Sequence, residues 1–171
     1  MTIDIKKILF TSDLSENAKT VFGYAASLAD HYHAGIVILH VMEALPPGTE
    51  NQVADALGKE TYQKLKTRKK EGARHILINK KADALRIQEQ LADMHQITGA
   101  GMENLKRVSI ENVIVTEGNV AEEIAVNAVE NKCDVIVMGS PHRGLLTETF
   151  AGSTVRKVLK RSRLPVFLVP L

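Results

Sequence analysis

Glu117 to Ser140 reads EGNVAEEIAVNAVENKCDVIVMGS, and the fold can be read outward from it. Its centre, NVAEEIAVNAVENK, has the spacing of an amphipathic helix. Asn119 is a good N-cap residue, and Ile124, Ala128 and Val129 form an apolar stripe. ENVIVTEG (Glu111 to Gly118), which leads into the helix, reads as a strand. CDVIVMGS, which follows it, is a short apolar run rich in β-branched residues, as expected of a strand buried on both faces. A strand, a helix and a second buried strand make a crossover unit, and crossover units build parallel sheets.

The same alternation extends both ways. Ile8-Leu9-Phe10 is a short apolar run that stops at TSDLSENA, a strand followed by a helix start. Asp13 and Ser15 are both N-cap types, and Asp13 with Glu16 has capping-box spacing. VFGYAASL (Val21 to Leu28) suits a helix packed on a sheet, and Gly35 is expected to end it. IVILHV (Ile36 to Val41) is a second buried strand. Pro46-Pro47-Gly48 punctuates a loop, and a polar, helix-favouring region runs from about Thr49 to Ile97, with Gly58 and Gly72 as weak points. Beyond Ser140 a glycine-rich segment leads to a helix beginning near Ser153. Arg156, Lys157, Lys160, Arg161 and Arg163 crowd that helix, read as a positive C-terminal end. LPVFLVPL is a final strand. Five strands alternating with about four helices predict an α/β fold: a Rossmann-like, doubly wound parallel sheet with helices on both faces.

Composition narrows the function classes. The chain has 171 residues, enough for one domain with one core. Aromatics are 4% with no Trp, which argues against a stacking platform for single-stranded nucleic acid. A net charge of +2 does not suggest polyanion binding over the whole surface. No apolar run approaches the roughly 18 to 20 residues of a membrane helix. A lone cysteine, Cys133, fits a reducing cytoplasm. The expectation is a cytoplasmic protein with neither nucleic acid nor membrane as partner.

Ligands of doubly wound sheets sit at the carboxyl ends of strands where the winding reverses. Three segments follow strands: Thr11-Ser12-Asp13, Val41-Met42, and Met138 to Thr154. If the first and fourth strands are neighbours, their ends flank that crevice. Gly152 and Ser153 then place backbone N–H groups and a hydroxyl at a helix start, which is an anion site or equally a tight turn with its cap. Asp13 could accept from ribose hydroxyls or cap a helix, and backbone groups at Val41 could read a base edge. Several chemistries lack their motifs: there is no HExxH, no Cys/His cluster, no GxxxxGK[ST], no GxGxxG after the first strand, and no nucleophile elbow. His31 and His33 do not share a helix face. The basic stretch Lys64 to Arg74 reads as a solvated helix face.

KKILFTSDLSENA, IVILHV, EGNVAEEIAVNAVENKCDVIVMGS and GSTVRKVLKRSRLPVFLVP resemble, in that order, the universal stress protein family. The resemblance covers about residues 5–43 and 110–171. It treats 1–171 as a single domain with a long helical insertion at about 49–108. It implies strand order 3-2-1-4-5, a cytoplasmic homodimer joined through the last strand, an unknown protein partner, and a stress-response or signalling role rather than an enzyme's. One branch of the family binds ATP through G-x2-G-x9-G[ST]; another does not bind it. Gly139 matches the first glycine and Gly152-Ser153 the last pair, but His142 stands at the middle glycine, and Gly144 falls two residues late. Thr11 stands where a proline is frequent, while Asp13 matches the acidic residue that follows. An imidazole at the middle position would crowd a phosphate or donate to it as a cation, and Pro141 removes a backbone donor. The implied nucleotide is ATP or AMP, with Mg as its counter-ion. The implied site is Thr11, Ser12, Asp13, Val41, Met138, Gly139, His142, Gly152, Ser153 and Thr154. The alternative is a nucleotide-independent interaction protein that uses the helical insertion as its partner surface.

Overall fold

The computed structural model describes residues 4–46, 48–97, 108–140 and 153–171, with side chains for all of these except 80–97. The elements run β1 (Lys7–Thr11), α1 (Ala18–Tyr32), β2 (Gly35–Glu43), α2 (Thr49–Leu57), α3 (Lys59–Ile97), β3 (Ser109–Gly118), α4 (Val120–Glu130), β4 (Val135–Ser140), α5 (Ser153–Arg161) and β5 (Val166–Pro170). The strands form one sheet in the order β3-β2-β1-β4-β5, and every pair is parallel. This is the expected doubly wound architecture.

Each strand feeds both faces because its side chains alternate. On β1, Ile8 and Phe10 point to one side and Leu9 to the other. β2 sends Ile36 and Ile38 one way, Val37 and Leu39 the other, and β4 divides Val135 and Val137 from Ile136 and Met138 in the same manner. The first layer is completed by Ala18, Val21, Ala25 and Ala29 of α1 with Ala73 and Leu77 of α3. The second is completed by Ala121, Ile124 and Ala128 of α4 with Val155 and Val158 of α5. Alanines on α1 and α4 let those helices lie close to the sheet, where β-branched strand residues fill the volume.

Asp134 aligns β1 with β4. One carboxylate oxygen accepts from the backbone N–H groups of Lys6 and Lys7, at 2.8 Å each, and its own N–H donates to the Lys7 carbonyl at 2.8 Å. At the far edge, β3 bulges opposite Ile36/Val37, where Glu111 is the extra residue. Its carboxylate reaches over β2 to the Lys7 ammonium at 2.7 Å. A Cβ on Gly35 would collide with the Glu111 side chain, so the glycine leaves a passage for this link. The Glu111 hydrogen bond also holds the Lys7 ammonium above its usual pKa.

Local boundaries differ from the sequence reading in five places. The α1 N-cap is Asn17, not Asp13 or Ser15, because Asp13 is engaged in a turn. The left-handed residue ending α1 is His33, at φ 56°, so Gly35 is free to open β2. Gly58, at φ 81°, separates α2 from α3 and raises the helix count to five, while Gly72 lies inside an unbroken α3. Val129 is 65% exposed, and the buried stripe of α4 is Ala121, Ile124 and Ala128, with Asn127 beside them. Arg156 is the fourth of the nine residues of α5, outside the C-terminal turn, where Lys160 and Arg161 lie. The Asn119 cap is as expected, its side chain accepting from Glu122 N–H at 3.2 Å.

Cys133 packs among the α4–β4 core residues, and desolvation pushes its thiol up to about 11. The thiolate is the reactive form. Native protein at pH 8 should therefore react with iodoacetamide much more slowly than the same protein in denaturant. Equal rates would show that the second layer opens readily around this residue.

Candidate functional site

β1 and β4 are neighbours, pairing from Ile8/Val135 to Phe10/Val137. The chain leaves β1 through α1 on one face and β4 through α5 on the other. Their carboxyl ends thus open onto the crevice between α1 and α5. A cavity of about 870 Å³ occupies it.

The floor is set by the turn after β1. Ser12 continues the strand's pairing, its N–H donating to the Leu39 carbonyl at 2.9 Å. Its buried hydroxyl accepts from Leu14 N–H at 3.2 Å. Leu14 has φ 64°, a left-handed conformation that turns the chain towards α1. Asp13 accepts from both Ser15 N–H at 2.9 Å and the Ser15 hydroxyl at 2.7 Å, which braces the turn. His40 Nδ1 lies 2.8 Å from the Ser12 carbonyl oxygen and, as donor, ties this turn to the end of β2. The turn is consequently held from three directions.

Of the residues expected from the sequence, Thr11, Ser12, Asp13, Val41, Met138, Gly139, Ser153 and Thr154 all line the cavity. His142 and Gly152 lie outside the described residues, as do Pro141 and Gly144. Sequence reasoning missed Asn17, His40, Glu43 and Arg156, which also line it. Glu43 lies two residues beyond Val41, on the same face of β2 by strand alternation, which was the available signal for it. His40 lies on the other face and carried no such signal. Arg156 lies three residues beyond Ser153 on a helix whose start had been located, and was found only by following that helix one turn further.

The cavity is mixed in character. Leu39, Val41, Val120, Ile124 and Met138 give an apolar wall. Asp13, Asn17, His40 and Glu43 supply polar groups on the β1–β2 side, and Ser153, Thr154 and Arg156 on the α5 side. Such a lining suits an amphipathic small molecule with a flat apolar part and a polar end. Among the described residues, no group of three or more His, Cys, Asp or Glu side chains could hold a metal ion.

Next to the strand ends, Lys66 of α3 bridges Glu50 of α2 at 2.7 Å and Glu117 of β3 at 3.0 Å. Hydrogen bonds to Glu50 and then Glu117 hold the Lys66 ammonium above its ordinary pKa, and Lys66 in turn holds Glu50 below the usual carboxylate range. These charges satisfy one another and fasten α2 and α3 to the sheet edge.

Gly139 has a packing role beside its place in the lining. A Cβ there would sit 2.6 Å from Leu171 Cδ1 and 3.2 Å from Val21 Cγ2, with Val21 fixed in the α1 core stripe. Gly139→Ala should lower unfolding stability by about 1–3 kcal/mol, as overpacking does, measured by urea denaturation. An unchanged midpoint would show that Leu171 yields freely and that only the cavity needs the glycine.

A family model for the universal stress protein family matches residues 4–170. A universal stress protein of Thermus aquaticus is 28% identical over 164 residues, covering 96% of this chain and 98% of the relative. One of Methanocaldococcus jannaschii is 25% identical over 177 residues, covering 99% and 97%. The solved structure of that Methanocaldococcus protein superposes with a TM-score of 0.66 at 25% identity, over 99% of this chain and 98% of its own. A universal stress protein solved in complex with cAMP shares the fold, with a TM-score of 0.52 at 17% identity and 98% of each chain covered.

Proposed function

The chain belongs to the universal stress protein family, and from that premise we propose that it is a dimeric stress-response module that binds an adenine nucleotide in the crevice at the strand ends. The observation that carries the reading is the cavity itself. Its volume, about 870 Å³, lies in the range of roughly 300–1,000 Å³ typical of small-molecule sites. It is lined by all eight of the described residues expected to form a nucleotide site. Apolar side chains from β2, β4 and α4 can enclose a purine. Asp13 offers acceptors for ribose hydroxyls. The start of α5 offers donors for phosphate. The fold neighbour bound to cAMP supports the choice of an adenine ligand. Isothermal titration with ATP, AMP and cAMP should show saturable binding of at least one, with mutual competition. Binding of none would overturn the reading and leave the nucleotide-independent branch of the family as the assignment.

The dimer is proposed through β5. That strand is an edge of the sheet, and an unpaired edge favours association. Phe167 on it is 39% exposed and lies against Tyr24 of α1, 50% exposed, with ring centroids 6.1 Å apart. Val166 and Leu168 pack against the second core layer instead, so charges there would damage the fold. Phe167→Lys combined with Tyr24→Lys should therefore give folded monomers in analytical ultracentrifugation. A folded variant that sediments as the wild-type dimer would move the interface away from this edge.

A further inference from the structure

α2 is attached to the protein differently from α1, α4 and α5. Those helices each set a buried stripe into the core, whereas none of the nine residues of α2 is buried. It packs mainly against α3. A glycine in the positive-φ region stands at each end, Gly48 at φ 89° and Gly58 at φ 81°. A Cβ on Gly48 would meet nothing within 4 Å, and one on Gly58 would meet the Thr61 hydroxyl oxygen at 4.0 Å, an ordinary contact. Packing therefore does not demand these two glycines, as it demands Gly35 and Gly139; the backbone does. A helix this short is not stable by itself in water, and Gly48 offers it no side-chain cap.

One polar node holds it down. Glu50, in the first turn of α2, pairs with Lys66 of α3 at 2.7 Å, and Lys66 also pairs with Glu117 of β3 at 3.0 Å. Tyr62 completes the node. Its ring centroid is 5.8 Å from the Lys66 ammonium, and it hydrogen-bonds Glu50. Among the described residues, Tyr62 is the one buried apolar side chain that belongs to neither core layer, which leaves the α2–α3 contact as its shelter. The Glu50 and Lys66 side chains are 43% and 29% exposed, so dissolved salt screens their attraction. If Glu50 departs, Lys66 keeps Glu117, and no cation is stranded without a carboxylate. Release of α2 thus costs one ion pair and leaves α3 fastened to the sheet.

We propose that α2 is a strap, latched through Glu50 to Lys66 and hinged at Gly48 and Gly58, that releases from α3 while the sheet stays folded and so uncovers Tyr62. The switch is an order-to-disorder step of one short segment, beside the strand end that carries Glu43 of the cavity lining.

Amide hydrogen exchange on the full chain, read by mass spectrometry, tests the latch, and nitration by tetranitromethane reads Tyr62. In wild type, the α2 amides should exchange far faster than those of β1 and β4, and faster in high salt than in low. Glu50→Gln should speed α2 exchange roughly three- to tenfold, the range of a partly exposed charged pair, and remove most of its salt dependence. Exchange in β1 and β4 should not change. Glu117→Gln should leave α2 protected, because Lys66 still holds Glu50. Gly58→Ala should speed α2 exchange by straining the latched backbone, although the added methyl group clashes with nothing. Tyr62 should nitrate more slowly than the exposed Tyr24 and Tyr32 in wild type, and its rate should rise in Glu50→Gln. If α2 exchanges no faster than β1, it leaves only with the whole fold and the strap is refuted. If it exchanges fast with no response to Glu50→Gln or to salt, the latch is refuted. Accelerated α2 exchange with Tyr62 still resistant to nitration would refute the uncovering.

Discussion

β1 and β4 lie side by side, yet the chain leaves them in opposite directions: α1 carries it over one face to β2, and α5 over the other face to β5. Right-handed crossovers permit no other arrangement once the strand order reverses. The two helices therefore diverge at the strand ends, and the crevice between them is a consequence of topology before any side chain is chosen. Everything at the site follows from this divergence. The Thr11–Asp13 turn, the Val41 strand end, Gly139 and the start of α5 converge because each ends or follows a strand beside that gap.

Holding the gap in shape requires the strands to stay in register, and the polar groups outside the core do this. Asp134 fixes β1 to β4 through two backbone N–H groups, and Glu111 links β3 to β1 across Gly35. The Lys66 bridge anchors α2 and α3 where β3 ends, beside Glu43 of the cavity lining. α3 itself has 39 residues, roughly 58 Å at about 1.5 Å per residue. Leu65, Ile76 and Ile78 on it are exposed. Among the residues of α3 whose side chains are described, Tyr62, Lys66, Ala73 and Leu77 attach it to the domain along one narrow stripe.

The central strands were legible because a strand buried on both faces has to be written as an unbroken apolar run, as in IVILHV and DVIVM, whereas their order came from the family resemblance and not from the runs themselves. Helix boundaries were less legible. Asp13 carries every mark of a cap, but its carboxylate is taken by Ser15, and Leu14 turns left-handed before the helix can begin. Gly35 looks like a helix stop, yet its absent side chain serves Glu111, a residue remote in sequence. Periodicity put Val129 in the stripe with Ala128, although the position one step around the helix faces solvent. At the site, the residues next to strand ends were found from their spacing. Arg156 was not, since the cluster of positive charge on α5 gives the same local pattern whether a given side chain faces water or a cavity.

The central claim is that the topological gap is where this protein meets its ligand, and backbone amide NMR tests it most directly. Titrating ATP into ¹⁵N-labelled protein should shift Ser12, Val41, Gly139 and Thr154 together, along one saturating curve, while amides on the exposed part of α3 stay in place. Shifts concentrated on α2 and α3, with those four amides unmoved, would contradict the account and move recognition to the long helix.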